Sequence, residues 1–204
     1  MTRPESPGEQ QAQQRFGTVG RAASFYANQM LDHLNADMQR FIARQEMAYI
    51  ATADATGACD CSFRSGPPGF VHVIDAKTLT YPEYRGNGVL ASMGNIMENP
   101  HVGMIFLDYF QSTVGLHVNG AARVLAPDEA AALPNASPGM TAARQPQGGR
   151  RPEAWIVVTV DEAYIHCSKH IPLLSRLEKP IAWGSDDEAS KGGDFFRTKP
   201  DLRP

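Results

Sequence analysis

The chain has no apolar run near the ~20 residues that span a bilayer, no surplus of basic charge and only three cysteines. Each shortage removes a class of protein. Without a long apolar run, no membrane segment is expected. A formal net charge of -3 argues against a general nucleic-acid binder or a membrane-surface protein. Cys59, Cys61 and Cys167 are an odd number, and Met1-Thr2-Arg3-Pro4-Glu5-Ser6 leads into Gln-rich sequence with no apolar core of a signal peptide. Reduced thiols in a cytoplasmic setting are therefore expected. Familiar catalytic punctuation is missing too. There is no GxGxxG after a first strand, no Walker lysine motif, no GxSxG elbow, no His-Glu-x-x-His and no zinc-deaminase signature. Gly66-Pro67-Pro68-Gly69 is a rigid turn, since its prolines lack the N–H donors that a phosphate cradle uses. Asp186-Asp187-Glu188 lacks EF-hand spacing and reads as solvated.

What is present suits one ordinary domain with tails: 204 residues, 42% hydrophobic and 20% charged. Residues 1–20 are rich in Gln, Pro and Gly and are expected to be flexible. From Ser24 to Gln45 the apolar residues Leu31, Leu34, Met38, Phe41 and Ile42 recur at helical spacing, which predicts one amphipathic helix. The period then changes. Met47–Ala53, Ala58–Arg64, Phe70–Ile74 and Thr78–Tyr81 read as four short strands, joined by signals such as Asp54-Ala55-Thr56-Gly57, and suggest an antiparallel meander or barrel. A helix over about Val89–Glu98 stops before Pro100. Strands follow at Val102–Leu107, Val114–Val124 and Trp155–Tyr164, with Gly115 and Gly120 marking a bulge or a close backbone approach. The class is mainly β with peripheral helices. The domain is expected over 21–175, with an excursion at 126–153 and a C-terminal extension, 176–204, that could clamp onto a surface through its aromatic residues.

The densest chemistry lies at Thr80-Tyr81-Pro82-Glu83-Tyr84-Arg85-Gly86-Asn87-Gly88-Val89-Leu90. A strand ends, a cation sits beside two glycines, and a helix begins. Glycines admit close approach, the first helical N–H groups point outward, and arginine adds fixed charge, which together build an anion site for a cofactor phosphate. A solvated turn is the competing reading. Arg64, leaving the second strand, could join Arg85 on one phosphate or form a surface ion pair. His166, Cys167, Lys169 and His170 form a second group, in which two histidines four apart could share a helix face. Cys59-x-Cys61 makes no zinc knuckle, and buried free thiols are expected there.

With these residues in view, the chain resembles the pyridoxamine 5'-phosphate oxidase-like flavoproteins over roughly 24–170. The likeness rests on Cys61-Ser62-Phe63-Arg64, the Thr80–Asn87 junction, Asn99-Pro100-His101-Val102 entering a strand, and Val118-Asn119-Gly120-Ala121-Ala122-Arg123-Val124. It implies a six-stranded antiparallel split β-barrel that forms a homodimer, with FMN in the groove between subunits. By position, Tyr81, Pro82, Glu83 and Tyr84 would lie along the flavin, Arg85, Asn87 and Gly88 would hold the phosphate, and Ser62 and Arg64 would flank it. Lys169 and His170, with His166, would reach the ring or the substrate across the interface. The family's Ser-Arg-Lys triplet is replaced here by Arg-Gly-Asn-Gly, and its C-terminal arginine signature for pyridoxal phosphate is missing, so a substrate other than vitamin B6 is expected. The implied activity is an FMN-dependent oxidoreductase acting on a small organic substrate, with no resident metal. The alternatives are a deazaflavin-dependent reductase and a non-catalytic flavin- or haem-binding protein, with His101, His117, His166 and His170 as axial candidates.

Overall fold

The computed structural model describes residues 6–141, 151–187 and 191–200. The remaining residues of the expected flexible terminus, excursion and extension lie outside that description.

Composition misjudges the N-terminus. Ser6 Oγ accepts from the Glu9 N–H at 3.1 Å, and Glu9 Oε2 accepts from the Ser6 N–H at 2.7 Å. This capping box, with Pro7 in the first turn, starts helix α1, Pro7–Phe16, which ends at Gly17. Neither α1 nor α2 (Val19–Gln29) contains a buried residue. The single helix predicted over 24–45 is instead three elements: the end of α2, a two-residue strand β1 (Met30–Leu31) and α3 (Ala36–Ala43). Asn35 breaks it. Its extended backbone cannot continue a helix, and its Oδ1 accepts from the Met38 N–H at 2.9 Å to begin the next one. The Leu34 N–H donates to Ala76 O at 2.7 Å, which seats Leu34 in the core.

The strands are β2 (Met47–Ala53), β3 (Cys59–Ser65), β4 (His72–Asp75), β5 (Thr78–Glu83), β6 (His101–Leu107), β7 (Gly115–Leu125) and β8 (Ala154–His166). Helix α4, Ala91–Glu98, lies between β5 and β6. All pairings are antiparallel, in the order β3-β2-β6-β7-β8-β5-β4, with β1 added to β8. The sheet thus has eight strands where six were expected, and the first four make no meander. The hairpins β2–β3 and β4–β5 stand at opposite ends of the order, and β6, β7 and β8 fill the space between. Arg64 of β3 nevertheless bonds Glu83 of β5, so the sheet is rolled and its two ends meet. This is a split barrel.

The inward faces of β2, β5, β6, β7 and β8 fill the roll together with Leu34 and α3. Leu34, Ile42, Ile50, Leu79, Phe106, Val118, Ile156 and Val158 are inaccessible to solvent. Gly120 is required where β7 crosses β8, because a Cβ there would lie 2.0 Å from Thr159 O. The register shifts at that point, which leaves Asp161 as the extra residue of a bulge. The excursion is not merely loop. Helices α5 (Pro127–Ala131) and α6 (Pro138–Thr141) place Ala130 and Met140 in a second small core with Leu125, Trp155 and Val157. The cysteines also differ from expectation: all three are free and exposed.

Candidate functional site

Where the roll closes, a cavity of about 550 Å³ opens between β3, the end of β5 and the start of α4. Its polar floor follows from strand parity. Asp60, Ser62 and Arg64 alternate with the outward Cys59, Cys61 and Phe63, and so face the closure together. Ser62 Oγ donates to Asp60 Oδ2 at 2.8 Å, and Ser92 Oγ lies 3.1 Å from both Asp60 Oδ2 and Ser62 Oγ. Arg64 joins the two sides. Its Nε donates to Glu83 Oε1 at 3.0 Å, its Nη2 donates to Ser92 Oγ at 3.2 Å, and its Nη1 donates to Phe63 O at 3.0 Å. Burial raises the carboxyl of Glu83 above its ordinary pKa, while the charge and hydrogen bond of Arg64 pull the other way. Tyr84, on the same wall, is pushed up to about 12 by burial, so its phenol keeps its proton.

The helix start completes the wall. Gly88 and Leu90 both have positive φ, 83° and 56°, which swings the chain sharply into α4. Asn87 Oδ1 accepts from the Val89 N–H at 3.0 Å and holds that turn. Among the described residues no side chain caps α4, which leaves its first-turn N–H groups to the cavity lined by Ala91, Ser92 and Met93. At Gly86 and Gly88 an added Cβ would meet nothing within 4 Å.

Of the residues expected at a cofactor site, Ser62, Arg64, Glu83, Tyr84, Asn87 and Gly88 line this one cavity. Tyr81 does not. It shares strand parity with Glu83 but lies deeper, fully buried in the core, and its hydroxyl has no partner among the described residues. Pro82 is buried opposite Trp155 and lies off the lining. Arg85 stands between two lining residues, but its Nε lies 2.7 Å from Asp186 Oδ1 and its Nη1 4.0 Å from Glu153 Oε1. Lys169 and His170 sit exposed in a 3-10 turn after β8, outside this cavity. His166 ends β8, so it shares no helix face with His170; its Nδ1 lies 2.9 Å from His117 Nε2. Burial, and then His166, hold the pKa of His117 below the ordinary imidazole value. His101 Nδ1 is 2.7 Å from Asn99 Oδ1. Among the described residues no group of three or more His, Cys, Asp or Glu could hold a metal, and no helix is long and apolar enough to cross a membrane.

Asp60, Ser92 and Trp183 line the cavity without having been expected there. The period-two pattern that places Ser62 and Arg64 already contains Asp60. Ser92 is legible as a first-turn residue. Trp183 arrives from about ninety residues downstream, and nothing local marks it.

A rolled antiparallel sheet with a polar cavity where a strand gives way to an uncapped helix defines a split barrel. Residues 34–167, more than half of the chain, match the family model described as pyridoxamine 5'-phosphate oxidase, and the chain belongs to this family. No curated protein matches it. Among solved structures, a variant of HupZ from Group A Streptococcus is 21% identical, with 65% of this chain and 99% of that chain covered and a TM-score of 0.47. A putative pyridoxamine 5'-phosphate oxidase from Lactobacillus delbrueckii is 22% identical, with coverages of 67% and 98% and a TM-score of 0.47. The FAD binding protein from Mycobacterium smegmatis is 15% identical, with coverages of 66% and 96% and a TM-score of 0.43.

Proposed function

We propose that the chain binds FMN in the cavity between β3, β5 and α4, and transfers hydride or electrons between the flavin and a small organic substrate other than vitamin B6. The observation that carries this reading is the uncapped start of α4 facing a cavity that Arg64, Ser62 and Ser92 share. Open space in front of Gly86 and Gly88 allows an anion to approach the backbone, and the first-turn N–H groups can donate to it. These are the donors that a flavin phosphate needs, and the cavity volume falls in the range of small-molecule sites.

Bound flavin would supply the redox chemistry. The protein's own groups bind and orient. The α4 amides would hold the phosphate, with Arg85 at the rim, while Ser62 and Ser92 donate to the Asp60 carboxylate of the floor. Arg64 keeps Glu83 tied to the wall, so that the carboxylate does not repel the ligand. Tyr84 keeps a neutral phenol on the wall. The outward faces of β2, β3 and β6 carry half-buried Tyr49 and Ile105 and exposed Phe63, an apolar patch suited to a second copy of the chain. In such a homodimer Lys169 and His170 would belong to the partner's groove, and we propose a cytoplasmic setting, which the free thiols support.

The test is an absorption spectrum of the freshly purified protein, with mass measurement of any ligand released on denaturation. A flavin spectrum with the mass of FMN is expected. A deazaflavin mass would keep the site and change the cofactor. A colourless protein that takes up neither added FMN nor deazaflavin would overturn the reading.

A further inference from the structure

Past the 3-10 turn that follows β8 the chain runs back across the molecule and reaches the cavity at Trp183. Ile171 is buried, the Leu174 N–H donates to Tyr109 O at 2.7 Å, and Arg176 Nη1 lies 2.6 Å from Glu46 Oε2. The same guanidinium stands 4.4 Å above the Phe110 ring. From these anchors the strap reaches Trp183, whose indole lines the cavity. Its Nε1 is shielded from solvent and faces no acceptor among the described residues. A turn follows, with the Ser185 N–H donating to Ala182 O at 3.0 Å and the Asp187 N–H donating to Ser185 Oγ at 3.1 Å. It presents Asp186 to Arg85 at 2.7 Å.

We infer that Asp186 is an internal anion that occupies Arg85 until a ligand's phosphate displaces it, and that it thereby sets the site's selectivity for phosphate-bearing ligands. This rests on reading the cavity as a flavin-phosphate site. Arg85 is the rim cation of that site, flanked in sequence by Tyr84 and Gly86 of the lining, and its guanidinium is committed to a carboxylate from the strap. Both side chains of the pair are partly exposed, 53% and 34%, so the pair is weak enough to exchange. A phosphate brings more negative charge and three acceptor oxygens to a planar fork that binds two of them at once. A neutral ligand cannot take the cation from Asp186. Displacement removes the Arg85 contact of the turn that carries Trp183, so phosphate binding is coupled to that turn.

The experiment uses the full chain and its Asp186→Asn variant, with FMN and riboflavin as a matched pair that differs only in the phosphate. The variant is expected to bind FMN about two- to fivefold more tightly, the range of an exposed ion pair, with riboflavin unchanged. Amide hydrogen exchange at 182–187 is expected to be faster in the unliganded variant, and to become as fast in the native chain at saturating FMN. Equal gains for both flavins, weaker FMN binding, or unchanged exchange in the variant would overturn the inference. If neither protein takes up flavin, the flavin reading fails, and inorganic phosphate becomes the probe. Faster exchange at 182–187 of the native chain on adding phosphate then supports the displaceable strap, and unchanged exchange overturns it.

Discussion

Replacing Arg64 with Met should destabilise the protein by an amount that grows with pH. Glu83 keeps 8% of its side-chain exposure and Arg64 20%, with 2.9 Å between Nη2 and Oε1. Removing the guanidinium leaves a buried carboxylate without its counter-charge, a loss of about 3 kcal/mol when that carboxylate is ionised. Burial already raises Glu83 above its ordinary 4.5, and Arg64 opposes that rise. In the window between the unfolded and the folded pKa, the native state therefore holds more protons than the unfolded one, and stability falls as pH increases. Without Arg64 the folded pKa climbs further, so the window widens upward. The cost of Arg64→Met should be small below the ordinary glutamate value and approach its full size near pH 8. Urea unfolding of the single variants and of Arg64→Met with Glu83→Gln, each at about pH 4.5 and about pH 8, measures this as a double-mutant cycle. The double variant should recover much of the loss, since no buried charge is left alone. A coupling below about 0.5 kcal/mol at the higher pH, or a cost that does not vary with pH, would refute the argument.

Three other substitutions and one titration test separate parts of the structure. Burial alone would raise Asp108, but donors from Ser112, Phe110 and Gln111, each at 3.0 Å or less, outweigh it and hold the carboxyl below its ordinary 3.8. Asp108→Ala should cost about 2 kcal/mol at neutral pH, and the difference from the native chain should shrink as acid protonates Asp108; a pH-independent difference in melting would count against this. Gly120→Ala forces a Cβ against the Thr159 carbonyl, so a loss of about 3 kcal/mol or failure to fold is expected by thermal melting. Arg85→Ala should weaken FMN retention by about 1–2 kcal/mol, which is a charge-assisted bond less the Asp186 pair given up on binding; full retention after dialysis would remove Arg85 from the site. Finally, Cys167 should react readily with a disulfide reagent in the native protein, while Cys59 and Cys61, on the outward β3 face proposed for the second copy, should react more slowly; equally fast reaction of all three would leave that face uncovered.

Local signals carry much of this structure. The range Met47–Ala53 is legible to the residue because β2 alternates buried and open positions between clear turns. The junction at Thr80–Leu90 is legible because a strand end, glycines and a helix start are consecutive in sequence. The parity of β3 puts Ser62 and Arg64 on one wall. Errors come where composition or period is trusted over caps. Ser6 and Glu9 start α1 inside a Gln-rich stretch, and Asn35 splits an otherwise continuous amphipathic pattern. Period tells nothing about depth: Tyr81 and Glu83 lie on one face of β5, yet one is core and the other is cavity wall. Long-range placement is beyond its reach. No residue near Asp186 announces Arg85, and the insertion of β6, β7 and β8 between two hairpins that adjoin in sequence has no local mark. Phe195 and Phe196, expected as anchors, meet each other at 5.2 Å and remain 80% and 84% exposed on this chain.

Strand β8 is thirteen residues long and pairs with β7 on one side and with β5 and β1 on the other. During synthesis, a chain that has emerged as far as residue 153 already contains every cavity residue except Trp183, yet β5 and β7 both present open edges. Their unpaired N–H and C=O groups can recruit strands from other nascent chains. Only the arrival of β8, far along the chain, satisfies both edges at once. Pairings such as Thr78 with Thr159 join distant parts of the sequence, and pairings of that span are slow to form. Chaperone demand and aggregation in the cell should therefore track the interval before β8 is released from the ribosome more closely than the stability of the finished domain.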